Sequence, residues 1–452
     1  MLKRTMGIET EYGLLLKRSD GKFCKKQLNE KFLLHPWRTG KKEFDGLFLF
    51  KDPHDYHTGL WLGSNGGRVY RDNVLGGDEV DHVEYSSAEC ISGKDVSLYN
   101  AAGDLFMQKV RASFLDSRTF KKLACKKHRH ADVLLSKNNS DFVRPTNSPK
   151  ITVNFYGSHE NYITYKRFFK TDADVEFSEK IAPFFVSRVI LHGSGRKQLY
   201  TRLHPVYGDS NMSQYSTWLR FDSTHLMLRI LEELKNVRLP KLINPLADLH
   251  LFAQDTSLQA TAATEQHGRI TAIELQKHYI DLALRLKLSP YEKEFIAYWA
   301  SVLRRLEEDP MNLCRELDWA IKKNFLQSSM ARRGYDLQNK KARIIDVTYS
   351  ELSPGGIYYR LEGSGNIDTL FAKSEIESAL RTPPKETRAR LRSDYVVAVR
   401  KRFGKQYTDE YGNVRWESVH TLPEFELNNP FASTSKKLQR FLESKKFLNP
   451  AT

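Results

Sequence analysis

Short segments in which apolar and polar residues alternate run from Lys3 to about Ala88. A period of two predicts strands, because successive side chains of a strand point to opposite faces. Turn residues interrupt the pattern at 18–22 and at 63–68, where Asn-Gly-Gly is typical of a hairpin turn. The first part of the chain is therefore predicted to consist mainly of strands.

Helical spacing replaces this pattern at 95–113, and strand character returns at 133–142 and 151–165. The middle of the chain is predicted to be helical, with Ser223 or Thr224 as the cap of a helix that ends before Pro240. Mixed strands and helices predict an α+β fold rather than a helical bundle. The apolar stripe of this central helix is Leu226, Met227, Ile230, Leu231 and Leu234, and further helices are predicted at 272–287, 290–308 and 313–326.

The chain becomes basic after 369–392, and Pro383-Pro384 marks a boundary or a sharp turn there. We therefore predict a large domain over 1–380. A small C-terminal domain over 381–452 is expected to pack on it.

Composition narrows the class of protein. The 452 residues are 40% hydrophobic and 28% charged, which is typical of a soluble globular chain with a substantial core. Four widely spaced cysteines without a CxxC pair indicate neither a zinc ribbon nor a disulfide framework, so a reducing cytoplasm is the expected location. No apolar segment indicates export or a membrane span.

A surplus of basic residues gives the chain a formal net charge of +16, enough to attract an anionic partner. The densest basic run, KKLACKKHRH at 121–130, lacks interleaved aromatic residues and zinc-finger spacing. We interpret it as a solvated helix face, which disfavours nucleic acid as the partner and leaves a nucleotide or an acidic protein.

Carboxylates recur at alternate positions of the predicted strands. Glu9 and Glu11 are two residues apart in GIETEYG, so their side chains are expected to share one face with Cα atoms ~7 Å apart. Paired carboxylates of this kind hold divalent cations, and Mg²⁺ is the natural candidate.

A second strand, GRVYRD, places Arg68, Tyr70 and Asp72 along one face over ~13 Å. Glu84 and Glu89, in EYSSAEC, complete a carboxylate-rich neighbourhood if these strands pair. The alternative is a solvated sheet face with alternating charge. Three such stretches favour a metal site, because inward carboxylates are costly without a cation to neutralise them.

A series of motifs runs along nearly the whole chain. They are, in order, MGIETEYG, NGGRVYRD with EYSSAEC, KNNSD, YGSHENY, RLHPVYGDSNMS, ELDWAIKK, PPKETRARLR and RWESVH with NPF. Together they resemble the Pup ligases and their close relatives, the depupylases, within the glutamine synthetase-like carboxylate–amine ligases. This resemblance implies a large domain with a curved, mostly antiparallel sheet packed by helices, and a small C-terminal domain.

The resemblance also implies roles for individual residues. Asp72 is the expected catalytic base. Each of several residues also has a structural alternative, which is packing for Tyr70 and a place in the core for Trp416. For His159, His204 and Arg202 the alternative is ordinary hydrogen bonding in the core of the sheet. The expected ATP contacts are Arg68, Ser87, Trp416 and Arg202, and the expected Mg²⁺ ligands are Glu9, Tyr70, Glu84, Glu11, His159 and His204.

The activity implied is ATP-dependent ligation of a C-terminal glutamate side chain, on an acidic and disordered Pup-like modifier, to lysines of protein substrates. A depupylase or deamidase on the same scaffold is the alternative. The stretch Asp209-Ser210-Asn211-Met212-Ser213 favours the ligase, whereas the length of 14–66 favours neither. A catalytically inactive binding protein is a third hypothesis, and Glu9, Arg68, Asp72 and Glu84 argue against it.

Insertions around 73–81 and 144–153, and HVEY where the family has His-Pro-Glu-Tyr, mark a distant member of the family. They leave the identity of the modifier open more than the chemistry.

Overall fold

The computed structural model of the chain describes most of its length. The described residues are 3–17, 23–24, 28–40, 42–47, 49–51, 59–72, 82–123, 132–137, 156–165, 173–193, 206–207, 210–266, 268–331, 340–403, 429–436 and 439–440.

An antiparallel sheet organises the fold. Its main path runs β3-β4-β5-β6-β1-β8-β9, and β2 and β7 also pair with β1, while β10 and β11 form a separate hairpin. All pairings between the described strands are antiparallel, whereas the family resemblance implied a mostly antiparallel sheet. The strands are β1 (Met6–Lys17), β2 (Phe23–Cys24), β3 (Leu49–Lys51), β4 (Gly59–Leu62), β5 (Gly67–Asp72), β6 (His82–Ser86), β7 (Asp132–Ser136), β8 (Ser158–Tyr162), β9 (Val206–Tyr207), β10 (Thr261–Thr264) and β11 (Gly268–Thr271).

The predicted hairpin turn at 63–68 is confirmed between β4 and β5. Gly66 has φ 81°, a left-handed conformation in which a side chain would be strained.

Helices cover the back of this sheet and build a second layer. They are α1 (Leu28–Leu33), α2 (His35–Thr39), α3 (Gly93–Leu115), α4 (Arg118–Leu123), α5 (Ala173–Ser187), α6 (Val189–His192), α7 (Gln214–Glu233), α8 (Pro245–Gln254), α9 (Ala272–Ala283), α10 (Pro290–Glu308), α11 (Asp318–Ala331), α12 (Lys340–Tyr349), α13 (Ile357–Gly363), α14 (Lys373–Arg381) and α15 (Arg388–Phe403), with 3-10 turns at Lys42–Phe44 and Pro310–Leu313.

The prediction that Ser223 or Thr224 caps the central helix is wrong. Helix α7 begins at Gln214, and its cap is Ser213, whose hydroxyl accepts the Ser216 N–H at 3.3 Å. Residues 214–230 are buried almost without interruption, so the single apolar stripe identified only the second half of the helix. Thr224 lies mid-helix and donates its hydroxyl to the Arg220 carbonyl at 2.8 Å.

Two other predicted boundaries also differ. The helix at 272–287 ends at Ala283, and that at 313–326 is replaced by the 3-10 turn followed by α11. The 3-10 turn has a local cause, because the Asp309 side chain accepts the Met311 N–H and so starts a tighter turn than an α-helix.

The alternation in β1 separates two environments. Thr10 and Tyr12 face α3, where Thr10 donates to Asn100 at 3.0 Å and the Tyr12 hydroxyl donates to Asp104 at 2.9 Å. Glu9 and Glu11 must then lie on the opposite side, which we call the open face. The core behind the sheet therefore fixes which side chains the open face presents.

A second hydrophobic core is formed by side chains of the elements from α5 to α11, and it contains Trp218, Phe295 and Trp299. Cys90 and Cys314 are free thiols. Within the described ranges, no helix combines the length and apolar character that a membrane span requires.

The start of α15 is bonded to the sheet region, since the Ser393 hydroxyl donates to the Ser64 carbonyl at 2.7 Å. Pro383-Pro384 lies between α14 and α15. The division at 380/381 stays a prediction.

Candidate active site on the open face of the sheet

Three rows of cross-strand neighbours form the site. In the first, Arg68 pairs with Ser86, Ser86 with Glu9, and Glu9 with His159, so one row crosses β5, β6, β1 and β8. The second row joins Tyr70, Glu84 and Glu11, and the third joins Asp72 and His82. Because the rows are two residues apart on every strand, all these side chains project from the open face.

The back of the same strands explains why the rows hold their register. Val69, Val83 and Tyr85 alternate with the site residues and are fully buried behind the sheet. A slip by one residue would bury the carboxylates and expose this core. The apolar packing thus fixes the polar site.

Hydrogen bonds link the rows. The Tyr70 hydroxyl donates to Glu84 and accepts from the Ser86 hydroxyl at 3.2 Å. His159 lies between two carboxylates, with Nδ1 3.2 Å from Glu9 Oε2 and Nε2 3.3 Å from Glu11 Oε1. The structure therefore brings Glu9, Glu11, Tyr70, Glu84 and His159 together on the open face.

His82 is a member of the site that the sequence interpretation missed. Its Nε2 lies 3.4 Å from Glu11 Oε1 and 3.8 Å from both Asp72 Oδ2 and Glu84 Oε2. Burial alone would lower the pKa of His82, but Glu11 and Glu84 outweigh it and raise that pKa to about 10. The available signal was its spacing of two residues from Glu84 on the same strand.

Burial and like charge determine the electrostatics of the carboxylates. Burial raises the pKa of Glu84, and the charges of Glu9 and Glu11 add to that effect. Burial would raise the pKa of Glu11 as well, but His82, His159 and the Gly157 N–H outweigh it and hold that pKa below its usual value. Burial and the charge of Glu84 raise the pKa of Tyr70.

This crowding fits a divalent cation. Ligand atoms of Glu9, Glu84 and His159 all lie within 4.8 Å of one another, and so do those of Glu11, His82 and Glu84. Each group contains two carboxylates, which supply the oxygen ligands that Mg²⁺ prefers, and a cation between them would relieve the repulsion that helps to raise the pKa of Glu84. The histidines are less natural ligands for so hard an ion.

Arg68 lies at the edge of the carboxylates. Its guanidinium stacks 4.4 Å from the Tyr70 ring centre and 5.1 Å from that of Trp61. Two aromatic faces restrict the orientation of a long side chain and so prepare it to meet an anionic oxygen.

A groove of about 510 Å³ adjoins the first row. Its size suits a nucleotide-sized ligand. Ser87 lines the groove, but its hydroxyl accepts the Ile8 N–H at 3.1 Å and donates to the Ala88 carbonyl at 3.0 Å. The groove lining includes Glu9, Ser86, Ser87, Glu89, Asn161 and Arg388.

The expectation that Glu89 joins the carboxylate cluster is wrong. Glu89 lies beyond the end of β6, where the alternation no longer places side chains on the open face. Its carboxylate instead pairs with Arg388, at 2.8 Å from Nε, and with Arg392. It lines the groove but belongs to neither group of candidate cation ligands.

Trp416, Arg202 and His204 lie outside the described residues, as do the insertions around 73–81 and 144–153. Their roles stay predictions.

The chain is similar to several known proteins. The family model described as Pup-ligase protein matches residues 4–200 and 196–420. A Pup–protein ligase of Acidimicrobium ferrooxidans is 28% identical over 84% of this chain and 88% of its own. A Pup deamidase/depupylase of Mycolicibacterium smegmatis is also 28% identical, over 79% of this chain and 74% of its own.

A solved structure supports the fold. The crystal structure of the complex between prokaryotic ubiquitin-like protein Pup and its ligase PafA superposes with a TM-score of 0.74 at 22% identity, covering 98% of this chain and 92% of that one. The predicted α+β fold is confirmed, and it is the fold of that Pup ligase structure.

Proposed function

The chain belongs to the Pup-ligase protein family, and we propose that it is an ATP- and Mg²⁺-dependent ligase. It would join the side chain of a C-terminal glutamate, on a Pup-like modifier, to lysines of protein substrates through a glutamyl phosphate. The observation that carries this proposal is the convergence of three carboxylates and Arg68 on the open face beside a nucleotide-sized groove.

Glu9, Glu84 and Glu11 would hold Mg²⁺ through carboxylate oxygens, with Tyr70 orienting Glu84 through its hydroxyl. When bound, Mg²⁺ neutralises phosphate charge that the carboxylates would otherwise repel. The register of β1 and β6 determines where these carboxylates lie, so the sheet would hold the metal ligands in place.

The first step would transfer the terminal phosphate of ATP to the modifier. A carboxylate oxygen of the glutamate attacks the γ-phosphorus, the bond to the β-phosphate oxygen breaks, and ADP leaves. Arg68 is placed to donate to phosphate oxygens, because stacking on Tyr70 and Trp61 fixes its guanidinium at the edge of the acidic rows.

The second step would form the isopeptide. The lysine nitrogen attacks the acyl carbon, phosphate leaves, and the nitrogen loses a proton. At pH 7 a neutral amine costs roughly 4 to 5 kcal/mol relative to its charged form, given a usual lysine pKa of ~10.4. Asp72, 29% exposed at the end of β5, would accept that proton as positive charge develops on nitrogen.

The partners proposed are an acidic, disordered modifier and lysine-bearing proteins, and the location proposed is the cytoplasm. The +16 charge of the chain suits an acidic tail.

A depupylase or deamidase is the second candidate, because a relative of that name is as similar to this chain as the ligase relative. The described contacts of residues 210–213 are made within the chain, so they do not distinguish a ligase from a depupylase. Asn211 donates to the His192 carbonyl and to Asp318, and Ser213 caps α7, so this stretch favours the ligase by resemblance alone.

Product analysis distinguishes the two activities. Enzyme with ATP, Mg²⁺, a modifier ending in glutamate and a lysine-bearing acceptor should give one ADP per conjugate. Cleavage of preformed conjugate without net ATP turnover, together with no ligation at high acceptor concentration, would establish the hydrolase instead.

A further inference from the structure

Arg388 lines the groove together with Glu9, Ser86 and Ser87. It is the first residue of α15 and belongs to the PPKETRARLR motif, to which neither reaction step assigns a role. Its side chain is 31% exposed, so it is accessible from the groove.

Glu89 orients this arginine. The Arg388 Nε donates to Glu89 Oε1 at 2.8 Å, and Arg392 Nη1 donates to the same oxygen at 2.7 Å. Arg392 Nη2 also donates to Glu89 Oε2, so both carboxylate oxygens are engaged. Two guanidinium groups thus share one carboxylate, and the Arg388 guanidinium, which stays charged, brings positive charge to this part of the groove.

The groove is therefore polarised. Carboxylates cluster around Glu9, whereas Arg388 contributes positive charge beside Glu89, near the point where Met6 of β1 pairs with Cys90. A ligand that brings a cation to the carboxylates and an anionic oxygen to the arginine is complementary to both. The planar guanidinium is suited to phosphate and carboxylate oxygens, which it binds through paired N–H donors.

We propose that Arg388 binds an anionic oxygen group of the ligand in this groove. The group is either a phosphate of the nucleotide or the C-terminal carboxylate of the modifier. Arg392 does not line the groove and holds Glu89 through both carboxylate oxygens. This inference rests on the proposed function and adds a ligand-binding residue to it.

Three variants test it. Arg388→Gln removes the charge and the paired donors, Arg388→Lys keeps the charge alone, and Arg392→Gln is the matched control because it contacts the same carboxylate outside the groove. Calorimetry with Mg·ATP gives the nucleotide affinity, conjugation kinetics give the KM for the modifier, and thermal unfolding reports stability. Should Arg392→Gln fail to fold, Arg392→Lys replaces it.

Arg388→Gln should weaken one of the two ligands by about 10- to 100-fold, as expected for a charge-assisted hydrogen bond. Arg388→Lys should fall between it and the wild type, and Arg392→Gln should change the same constant by less than about twofold while lowering Tm. Loss of ATP affinity identifies the phosphate as the bound group, and a raised modifier KM at unchanged ATP affinity identifies the carboxylate.

Unchanged constants in Arg388→Gln, or equal losses in Arg388→Gln and Arg392→Gln, would overturn the inference. Failure of the proposed function looks different, because wild-type protein would then neither bind ATP nor form conjugate.

Discussion

Tyr70 on β5 and Glu84 on β6 face each other across the sheet, and the tyrosine hydroxyl donates a hydrogen bond to the buried carboxylate. The same tyrosine ring lies under the Arg68 guanidinium. One side chain therefore links the predicted cation site to the predicted phosphate contact through two separable groups, the hydroxyl and the ring.

Replacing Tyr70 with phenylalanine should affect only the first of these groups. The ring that supports Arg68 remains, but Glu84 loses the tyrosine hydroxyl as a donor, so the Mg²⁺ concentration needed for half-maximal ATP binding should rise about 3- to 10-fold. Calorimetric titration at several Mg²⁺ concentrations measures this. Glu9→Gln should weaken ATP binding further. Equally tight wild-type binding in EDTA would show that the carboxylates hold no metal.

Asp72 should matter for turnover far more than for nucleotide affinity, because its proposed role begins only as the lysine loses its proton. Asp72→Asn keeps the shape without the basicity. We expect the conjugation rate to fall by about 10² to 10⁴ and the ATP dissociation constant to change less than about threefold. A rate loss below about tenfold would assign the base to another residue.

The Glu89 ion pairs should make stability depend on acid. Burial would raise the pKa of Glu89, but Arg392 and Arg388 outweigh it and lower that pKa to about 2, against a usual value of 4.5. A depressed folded-state pKa stabilises the fold fully above the unfolded value, and this stabilisation is lost as pH falls from about 4.5 towards 2.

Urea unfolding of wild type and Glu89→Gln tests this dependence. The wild type should be more stable by about 3 kcal/mol at pH 7, and the difference should shrink below pH 4.5. Glu308→Gln is the control, since Glu308 forms an exposed pair with Arg304 and should cost less than about 1 kcal/mol. A difference between wild type and Glu89→Gln that is independent of pH would contradict the assignment.

Electrostatic attraction should guide the acidic modifier to this basic chain. Its association rate should fall several-fold between about 50 and 200 mM salt, because screening shortens the range of the attraction. Stopped-flow measurements with a labelled modifier give this rate. Salt-independent association, with strongly salt-dependent binding to DNA or RNA, would return nucleic acid as the partner.

The sequence by itself determined which side chains share a face of each strand. Alternation is a property of neighbouring residues, so Glu9 with Glu11, and Arg68 with Tyr70 and Asp72, could be placed on common faces before any fold was known. The hairpin at Asn65-Gly66 is equally local, because the turn depends on a glycine in a left-handed conformation. The motifs that resemble the Pup-ligase family supplied the metal and base assignments.

Only the tertiary structure decided which faces meet. β8 follows β1 by more than a hundred residues, yet it brings His159 beside Glu9, and α15 brings Arg388 and Arg392 to Glu89. Ser213, rather than a residue nearer the apolar stripe, became the cap of α7 because nearly the whole helix is buried. Strand order, register and helix ends of this kind depend on long-range hydrogen bonds and packing, which local sequence patterns do not encode.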